Sequence, residues 1–152
     1  MLEFKIMSLA RNKKALMKYE VLERFEAGIE LLGFEVKAVR AGRAALDGSH
    51  VSIRGGEGYL LGATIAPYQV NNTPGGYDPS RARRLLLSKK ELLKLMGEES
   101  AGKLTIVPIS MYTKGQRIKL ELALVRSKKK HDKRAALKKR EGDREIRRSL
   151  KI

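Results

Sequence analysis

Residues 104–125 read LTIVPISMYTKGQRIKLELALV, and this stretch decides the fold. In its second half the large apolar residues occupy alternate positions: Ile118, Leu120, Leu122 and Leu124. A period of two is typical of a strand with one face in a core. The runs 104–112 and 118–125 flank the polar, glycine-containing residues 113–116, so together they predict an antiparallel hairpin.

More strands are predicted around this hairpin. Residues 49–53 and 59–65 flank the glycine-rich residues 54–58, which is a second hairpin signal. Residues 19–32 have apolar side chains at mostly alternate positions on both sides of a glycine and predict a bent or hairpinned strand pair. Since strands outnumber helices and follow one another as hairpins, we predict a mainly β fold. Closing such a sheet into a small antiparallel β-barrel, with peripheral helices, would remove its exposed edges.

Two helices are predicted at the periphery. Residues 35–40 form the first candidate, with Gly42 where a helix C-cap would lie. The second begins at a Ser-x-x-Glu capping box, residues 88–91, and is Leu-rich up to Gly97. Between them, residues 67–79 hold three of the four prolines and predict a surface loop. The pattern does not decide whether residues 81–87 form a helix or an extended chain.

The chain is strongly basic. Its 33 Lys and Arg exceed its 17 Asp and Glu by 16, and its pI is about 10.3. Residues 126–152 hold 13 Lys and Arg against four acidic residues, so they carry +9 and residues 1–125 carry +7. We therefore predict an RNA-binding barrel domain over residues 1–125 and a basic C-terminal tail over 126–152, too poor in apolar groups to fold alone. Such charge favours a polyanionic partner, above all RNA.

The sequence also predicts where the protein works. No apolar run approaches the ~20 residues that cross a bilayer, and the first ten residues lack the long apolar stretch of a secretory signal. Cysteine is absent, which excludes disulfides and thiolate metal sites. We expect a cytoplasmic protein that does not bind membranes, with binding of an acidic membrane by the tail as the weaker alternative.

No catalytic residue, metal site or cofactor is predicted. Residues 97–104, GEESAGKL, match a phosphate-binding loop until Leu104 takes the place of the Ser or Thr that holds magnesium. They also follow a predicted helix and precede a strand, the reverse of the order that such a loop requires. His50 and His131 lie far apart and give little support to a metal site. The chain is therefore expected not to be an enzyme.

Two other classes stay open on the residues alone. One is a ribosomal protein or initiation-factor-like barrel that binds ribosomal RNA directly. The other is an enzyme with a basic substrate groove, for example a phosphodiesterase, which a nuclease assay with magnesium would reveal.

An ordered set of segments narrows this choice. The segments read NKKA (12–15), FEAGI (25–29), GFEVK (33–37), RAG (40–42), DP (78–79), RLLL (84–87) and KKHDKR (129–134). In this order they resemble SmpB, the SsrA-binding protein family of bacterial trans-translation. The likeness extends from about residue 12 into the tail.

The resemblance implies an oligonucleotide-binding-type antiparallel barrel with flanking helices. It also implies a protein that binds the tRNA-like domain of transfer-messenger RNA (tmRNA) and delivers it to stalled ribosomes for peptide tagging. The implied partners are tmRNA, the decoding centre and mRNA channel of the small ribosomal subunit, and elongation factor Tu, indirectly through alanyl-tmRNA. A monomer is expected.

By motif match, one group of body residues is expected to bind tmRNA: Asn12, Lys13, Lys14, Glu35, Lys37, Arg40 and Gly42. Lys37 and Arg40 can reach adjacent phosphates from one helical face. Glu35 can orient a cation or accept from a base or ribose donor.

The resemblance also implies that the tail becomes helical in the vacant mRNA channel. The ribosome-binding residues expected there are Lys129, Lys130, His131, Asp132, Lys133, Arg134, Lys138, Arg140 and Leu150. His131 is expected to stack on a base of the decoding centre, because imidazole offers a flat face to nucleobases.

Two positions depart from the family pattern. Ser127 stands where a glycine usually precedes the lysine run. Gly142 lies within the proposed tail helix, where it costs about 0.8–1 kcal/mol relative to alanine.

Overall fold

The computed structural model of the chain describes residues 7–69, 71 and 73–128. Its elements are, in order, β1 (Met7–Arg11), α1 (Lys13–Lys18), β2 (Tyr19–Ile29), α2 (Gly33–Arg40), β3 (Ala44–Ala45), β4 (His50–Arg54), β5 (Glu57–Leu61), β6 (Thr64–Ile65), β7 (Arg83–Leu86), α3 (Lys89–Ser100), β8 (Thr105–Lys114) and β9 (Arg117–Ser127). The prediction of a mainly β chain with a few peripheral helices is confirmed.

The hairpin of β8 and β9 is the centre of a large antiparallel sheet. The strands are ordered β1-β8-β4-β5-β7-β2-β9, and β8 also pairs with β9. The six strands from β8 through β4, β5, β7 and β2 to β9 therefore pair in a closed ring. β1 lies outside this ring. It pairs with the part of β8 that β4 leaves free along the same edge. Ring closure is the connectivity expected of a small barrel, and it leaves these strands few free edges.

Two apolar clusters lie on opposite faces of β9. Leu120, Leu122 and Leu124 point into the main core, as their alternation predicts. Ala123 and Val125 belong to a second, smaller cluster. β9 is thus buried on both faces near its end, because α1 covers the outer face there with Ala15.

The other two helices complete the main core. α2 contributes Ala38 and Val39, both fully buried, and α3 contributes Leu95. The capping box predicted at Ser88 and Glu91 is present: each side chain accepts a hydrogen bond from the other's backbone N–H. α3 continues past Gly97 to Ser100, so its predicted end was three residues too early.

The structure corrects the prediction for residues 19–32. Residues 19–29 form one strand, β2, and no hairpin, since β2 pairs with β9 from Tyr19 to Gly28. A bulge between Val21 and Glu23 supplies the bend. Gly28 does not break the strand. It lets β7 approach closely, because a Cβ at this position would lie 3.1 Å from the Cβ of Leu86.

Other elements were undecided or missed. Residues 81–87 are extended, with β7 at Arg83–Leu86. β1 and α1 had no predicted counterpart. Within the described ranges, no helix is long and apolar enough to cross a membrane.

Candidate nucleic-acid interface

α1 presents two of the expected RNA-binding lysines. Lys13 and Lys14 are exposed on its first turn. Asn12 is buried, and it caps the helix: its Oδ1 accepts from the N–H of Ala15 at 3.3 Å, and its Nδ2 donates to the carbonyl of Pro108 at 2.9 Å. Asn12 therefore fixes α1 to β8, and its side chain is buried away from an RNA at the surface.

α2 presents the second pair of cations. Lys37 and Arg40 are exposed and lie one turn apart, as the sequence predicts. The Arg40 Nη2 donates to the carbonyl of Gln116 at 2.8 Å, which ties α2 to the turn between β8 and β9. Gly42 follows α2 with φ +79°, a conformation that other residues rarely adopt, so its part is to end the helix.

Glu35 lies on the buried side of α2 in a network of hydrogen bonds. Its Oε2 accepts from the Nη2 of Arg83 at 2.6 Å, from the Nε of Arg83 at 2.9 Å and from the hydroxyl of Tyr77 at 2.9 Å. Its Oε1 accepts from the N–H of Leu32 at 2.8 Å and from the Nη2 of Arg81. Both Glu35 and Arg83 have fully buried side chains.

The network holds Glu35 ionised. Burial by itself raises the pKa of this carboxyl, but hydrogen bonds from Arg81, from the Leu32 N–H, from Arg83 and from Tyr77 outweigh it and lower the pKa to about 2. Burial and the neighbouring Glu35 carboxylate raise the pKa of the Tyr77 hydroxyl. Tyr77 thus remains a neutral donor beside a fixed anion.

This burial does not fit a Glu35 that accepts directly from a base or ribose. Both carboxylate oxygens already have protein donors, and the side chain is out of reach of solvent. Any part that Glu35 has in RNA binding must be indirect, through the position of α2.

Sequence reasoning missed the partners of Glu35. Arg81, Arg83 and Tyr77 lie in or beside the segment used for the resemblance, yet none was assigned a role. A signal was available, because Arg83 and Leu85 alternate with Arg84 and Leu86, and the same period of two that buries Leu85 also buries Arg83.

Two clefts lie beside the candidate residues. One, of about 380 Å³, separates α1 from the start of β4, and its lining includes Lys14, Lys18, Tyr19 and His50. The other, of about 320 Å³, lies between the end of β2 and the start of β9, with Val36 of α2 also in its lining. Cations belong to the lining of both.

The expected site residues thus divide into exposed cations and residues whose own contacts or backbone geometry hold the two helices. Lys13, Lys14, Lys37 and Arg40 are exposed cations on two helices that both adjoin β1: α1 follows it directly and α2 packs against it. The tail residues expected to bind the ribosome, from Lys129 onward, lie outside the described residues. In the described part, no group of three or more His, Cys, Asp or Glu side chains is placed to hold a metal ion.

Comparison with known proteins gives a consistent result. The SmpB family model matches residues 9–152. The SsrA-binding protein of Microcystis aeruginosa is 45% identical over 97% of this chain and 96% of its own length. That of Thiobacillus denitrificans is 47% identical over 95% and 97%, respectively. A solved structure described as "tmRNA-SmpB: a journey to the center of the bacterial ribosome" is 42% identical, with a TM-score of 0.65 over 79% of this chain and 84% of that one. The chain therefore belongs to the SmpB family.

Proposed function

We propose that this protein binds tmRNA and delivers it to stalled ribosomes for trans-translation. The observation that carries the proposal is the family match over residues 9–152, which includes the body and the basic tail. The relatives are named SsrA-binding proteins, and the related solved structure concerns tmRNA and SmpB in the bacterial ribosome. The working site is a cytoplasmic ribosome, and the protein is a non-enzymatic adaptor that acts as a monomer.

The body contacts the tRNA-like domain of tmRNA through its exposed cations. Lys13 and Lys14 on α1, and Lys37 and Arg40 on α2, neutralise phosphates along the folded RNA. Asn12, Glu35 and Gly42 support these contacts by fixing the two helices. Because phosphate contacts position an RNA without reading its sequence, the relative placement of α1 and α2 selects the shape of the RNA.

The tail probes the vacant mRNA channel at the decoding centre. Beyond β9, residues 129–152 hold 11 Lys and Arg against four Asp and Glu, and this positive charge suits a channel walled by ribosomal RNA. Elongation factor Tu enters this scheme only through the alanyl-tmRNA that it carries.

Direct binding tests the proposal. The full-length protein is titrated at about 0.15 M salt with the tRNA-like domain of tmRNA, an elongator tRNA and a ribosomal RNA fragment of equal length. We expect the tRNA-like domain to bind at least about tenfold more tightly than either competitor, since specific complexes exceed non-specific ones by larger factors. Equal affinity for all three would reject tmRNA as the partner, and preference for ribosomal RNA would indicate a ribosomal protein.

A further inference from the structure

Arg83 is a fully buried arginine to which the function has so far assigned no part. It lies in β7, between β5 and β2 in the ring of strands, and its guanidinium makes six hydrogen bonds. A buried guanidinium is expensive to desolvate, and the hydrogen bonds that compensate it here also fix the groups that accept them.

The partners of Arg83 come from three different parts of the chain. Two bonds go to Glu35 on α2, at 2.6 and 2.9 Å. The carbonyl of Ala63, just before β6, accepts at 3.2 Å. The carbonyl of Pro79 and the hydroxyl of Tyr77, at the end of the 67–79 loop, lie at 2.9 and 3.0 Å. One side chain of β7 therefore joins α2, the connection between β5 and β6, and the loop.

The network fixes both the position and the rotation of α2. Glu35 is on the side of the helix opposite to Lys37 and Arg40, so the two hydrogen bonds from Arg83 to its Oε2 set the direction in which the two cations project. On the same helix, Phe34 contacts the ring of Tyr77 edge to face, with the centroids 4.8 Å apart. The 67–79 loop is held to α2 by the same residue that bonds to Arg83.

We propose that Arg83 is a positioning residue for RNA binding: through Glu35 and Tyr77 it holds α2 at the rotation in which Lys37 and Arg40 engage adjacent phosphates. This inference rests on the proposed function. It does not require Arg83 or Glu35 to touch RNA, and it assigns the buried arginine of β7 a part in recognition.

The test uses the full-length chain with Arg83→Lys, which keeps the charge and loses the forked geometry. Arg84→Lys is the matched control, because Arg84 is the next residue of β7 and its ion pairs with Glu30 and Glu57 are exposed. Affinity for the tRNA-like domain of tmRNA is measured between 50 and 300 mM salt for each variant, alone and combined with Lys37→Ala. Far-UV circular dichroism and thermal unfolding establish that each variant is folded.

We expect the effects of Arg83→Lys and Lys37→Ala on RNA affinity to be non-additive. Lys37→Ala should lower the slope of log affinity against log salt by about one in the wild-type background. Arg83→Lys should lower affinity about tenfold and reduce the slope by about one to two. Adding Lys37→Ala to Arg83→Lys should then change little, because its contact is already lost. A general loss of stability would not produce this pattern, and Arg84→Lys should leave affinity and slope unchanged.

Two results would overturn the inference. One is a folded Arg83→Lys variant with wild-type affinity and slope. The other is a loss from Lys37→Ala that is as large in the Arg83→Lys background as in the wild type. If Arg83→Lys does not fold, Tyr77→Phe replaces it, since this change removes only a hydroxyl, which bonds to Glu35, Arg83 and the carbonyl of Ile65. The same comparison of slopes then decides. A wild-type protein that ignores the tRNA-like domain would instead reject the proposed function itself.

Discussion

At the scale of single residues, the fold depends on a buried anion and cation that solvent does not reach. Glu35 and Arg83 are each fully buried, and their attraction offsets a large desolvation cost only while both are present. The surface pairs differ: Arg84 with Glu30, for example, joins two half-exposed side chains, and such pairs contribute little. Removing one member of the buried pair should therefore be far more harmful than removing one member of a surface pair.

Glu35→Gln should lower the free energy of unfolding by about 3–5 kcal/mol, because it leaves the guanidinium of Arg83 buried without its counter-ion. The measurement is urea unfolding at pH 7, followed by circular dichroism. Glu30→Gln serves as the control and should change stability by less than about 1 kcal/mol, since its partner Arg84 remains exposed. Similar effects from the two variants would contradict the importance of burial here.

Because the pKa of Glu35 is lowered, the difference in unfolding free energy between wild type and Glu35→Gln should depend on pH. The pKa is about 2 in the folded protein, against an ordinary value of 4.5. A carboxyl whose pKa is lower in the folded state stabilises the protein above its unfolded pKa, and this contribution is lost as the pH falls through the folded pKa. It amounts to about 3 kcal/mol. The stability gap between wild type and Glu35→Gln should hold above pH 5 and shrink steadily towards pH 2; a constant gap would contradict the assignment.

At the scale of elements, one capping residue fixes the start of the helix α1. Asn12→Ala removes the N-cap and the bond to Pro108, so it should lower the free energy of unfolding by about 1–2 kcal/mol. Because Lys13 and Lys14 follow directly, it should also weaken tmRNA binding several-fold, measured in the same titration. Ser88→Ala removes the equivalent cap of α3 and should cost similar stability. If both variants weaken binding equally, α1 has no special part.

The elements differ in how well the sequence predicts them. The β8–β9 hairpin and the start of α3 are predicted correctly, because alternation and a capping box are local signals. The sequence does not predict that β2 is one continuous strand, since this depends on pairing with β9 about a hundred residues later in the chain. α1 is only six residues long and is stabilised by tertiary packing on Val107 and Ile109. Helix propensity does not account for such packing, so the sequence did not predict α1.

The candidate site shows the same division. The exposed cations Lys37 and Arg40 lie where helical spacing puts them. The burial of Glu35 could not be read from α2 alone, because its partners come from residues 77–83, more than 40 positions away. Charged residues are usually solvated, so only the alternation within β7 pointed to an inward arginine.

At the scale of the whole molecule, the end of β9, the last strand of the ring along the chain, determines where a tail can begin. β9 ends at Ser127, and Arg126 forms an ion pair with Glu20 on the neighbouring strand β2. The backbone N–H of Lys128 donates to the carbonyl of Lys18, and its Nζ donates to the carbonyl of Leu16. Residues 126–128 therefore belong structurally to the body. A deletion that starts at Arg126 would disturb β2 and α1 as well as removing the tail.

Removing residues 129–152 instead should separate the two proposed activities. These 24 residues hold 11 Lys and Arg against four Asp and Glu, so the shortened chain keeps +9 of the +16, including the cations of α1 and α2. Affinity for the tRNA-like domain should then remain within about tenfold of wild type, because the positioning contacts are in the body. Peptide tagging on ribosomes stalled at the end of a truncated message should be abolished in a reconstituted translation system.

A full-length chain with the order of residues 129–152 scrambled is the matched control, since it preserves length and charge. If charge alone fills the mRNA channel, the scrambled chain should tag as well as the wild type, because counterion release does not depend on order. If His131 and its neighbours contact the decoding centre individually, the scrambled chain should bind tmRNA and fail to tag. Tagging by the shortened chain would show that the body alone carries tmRNA through the ribosome, and the assignment of the tail to the vacant channel would be wrong.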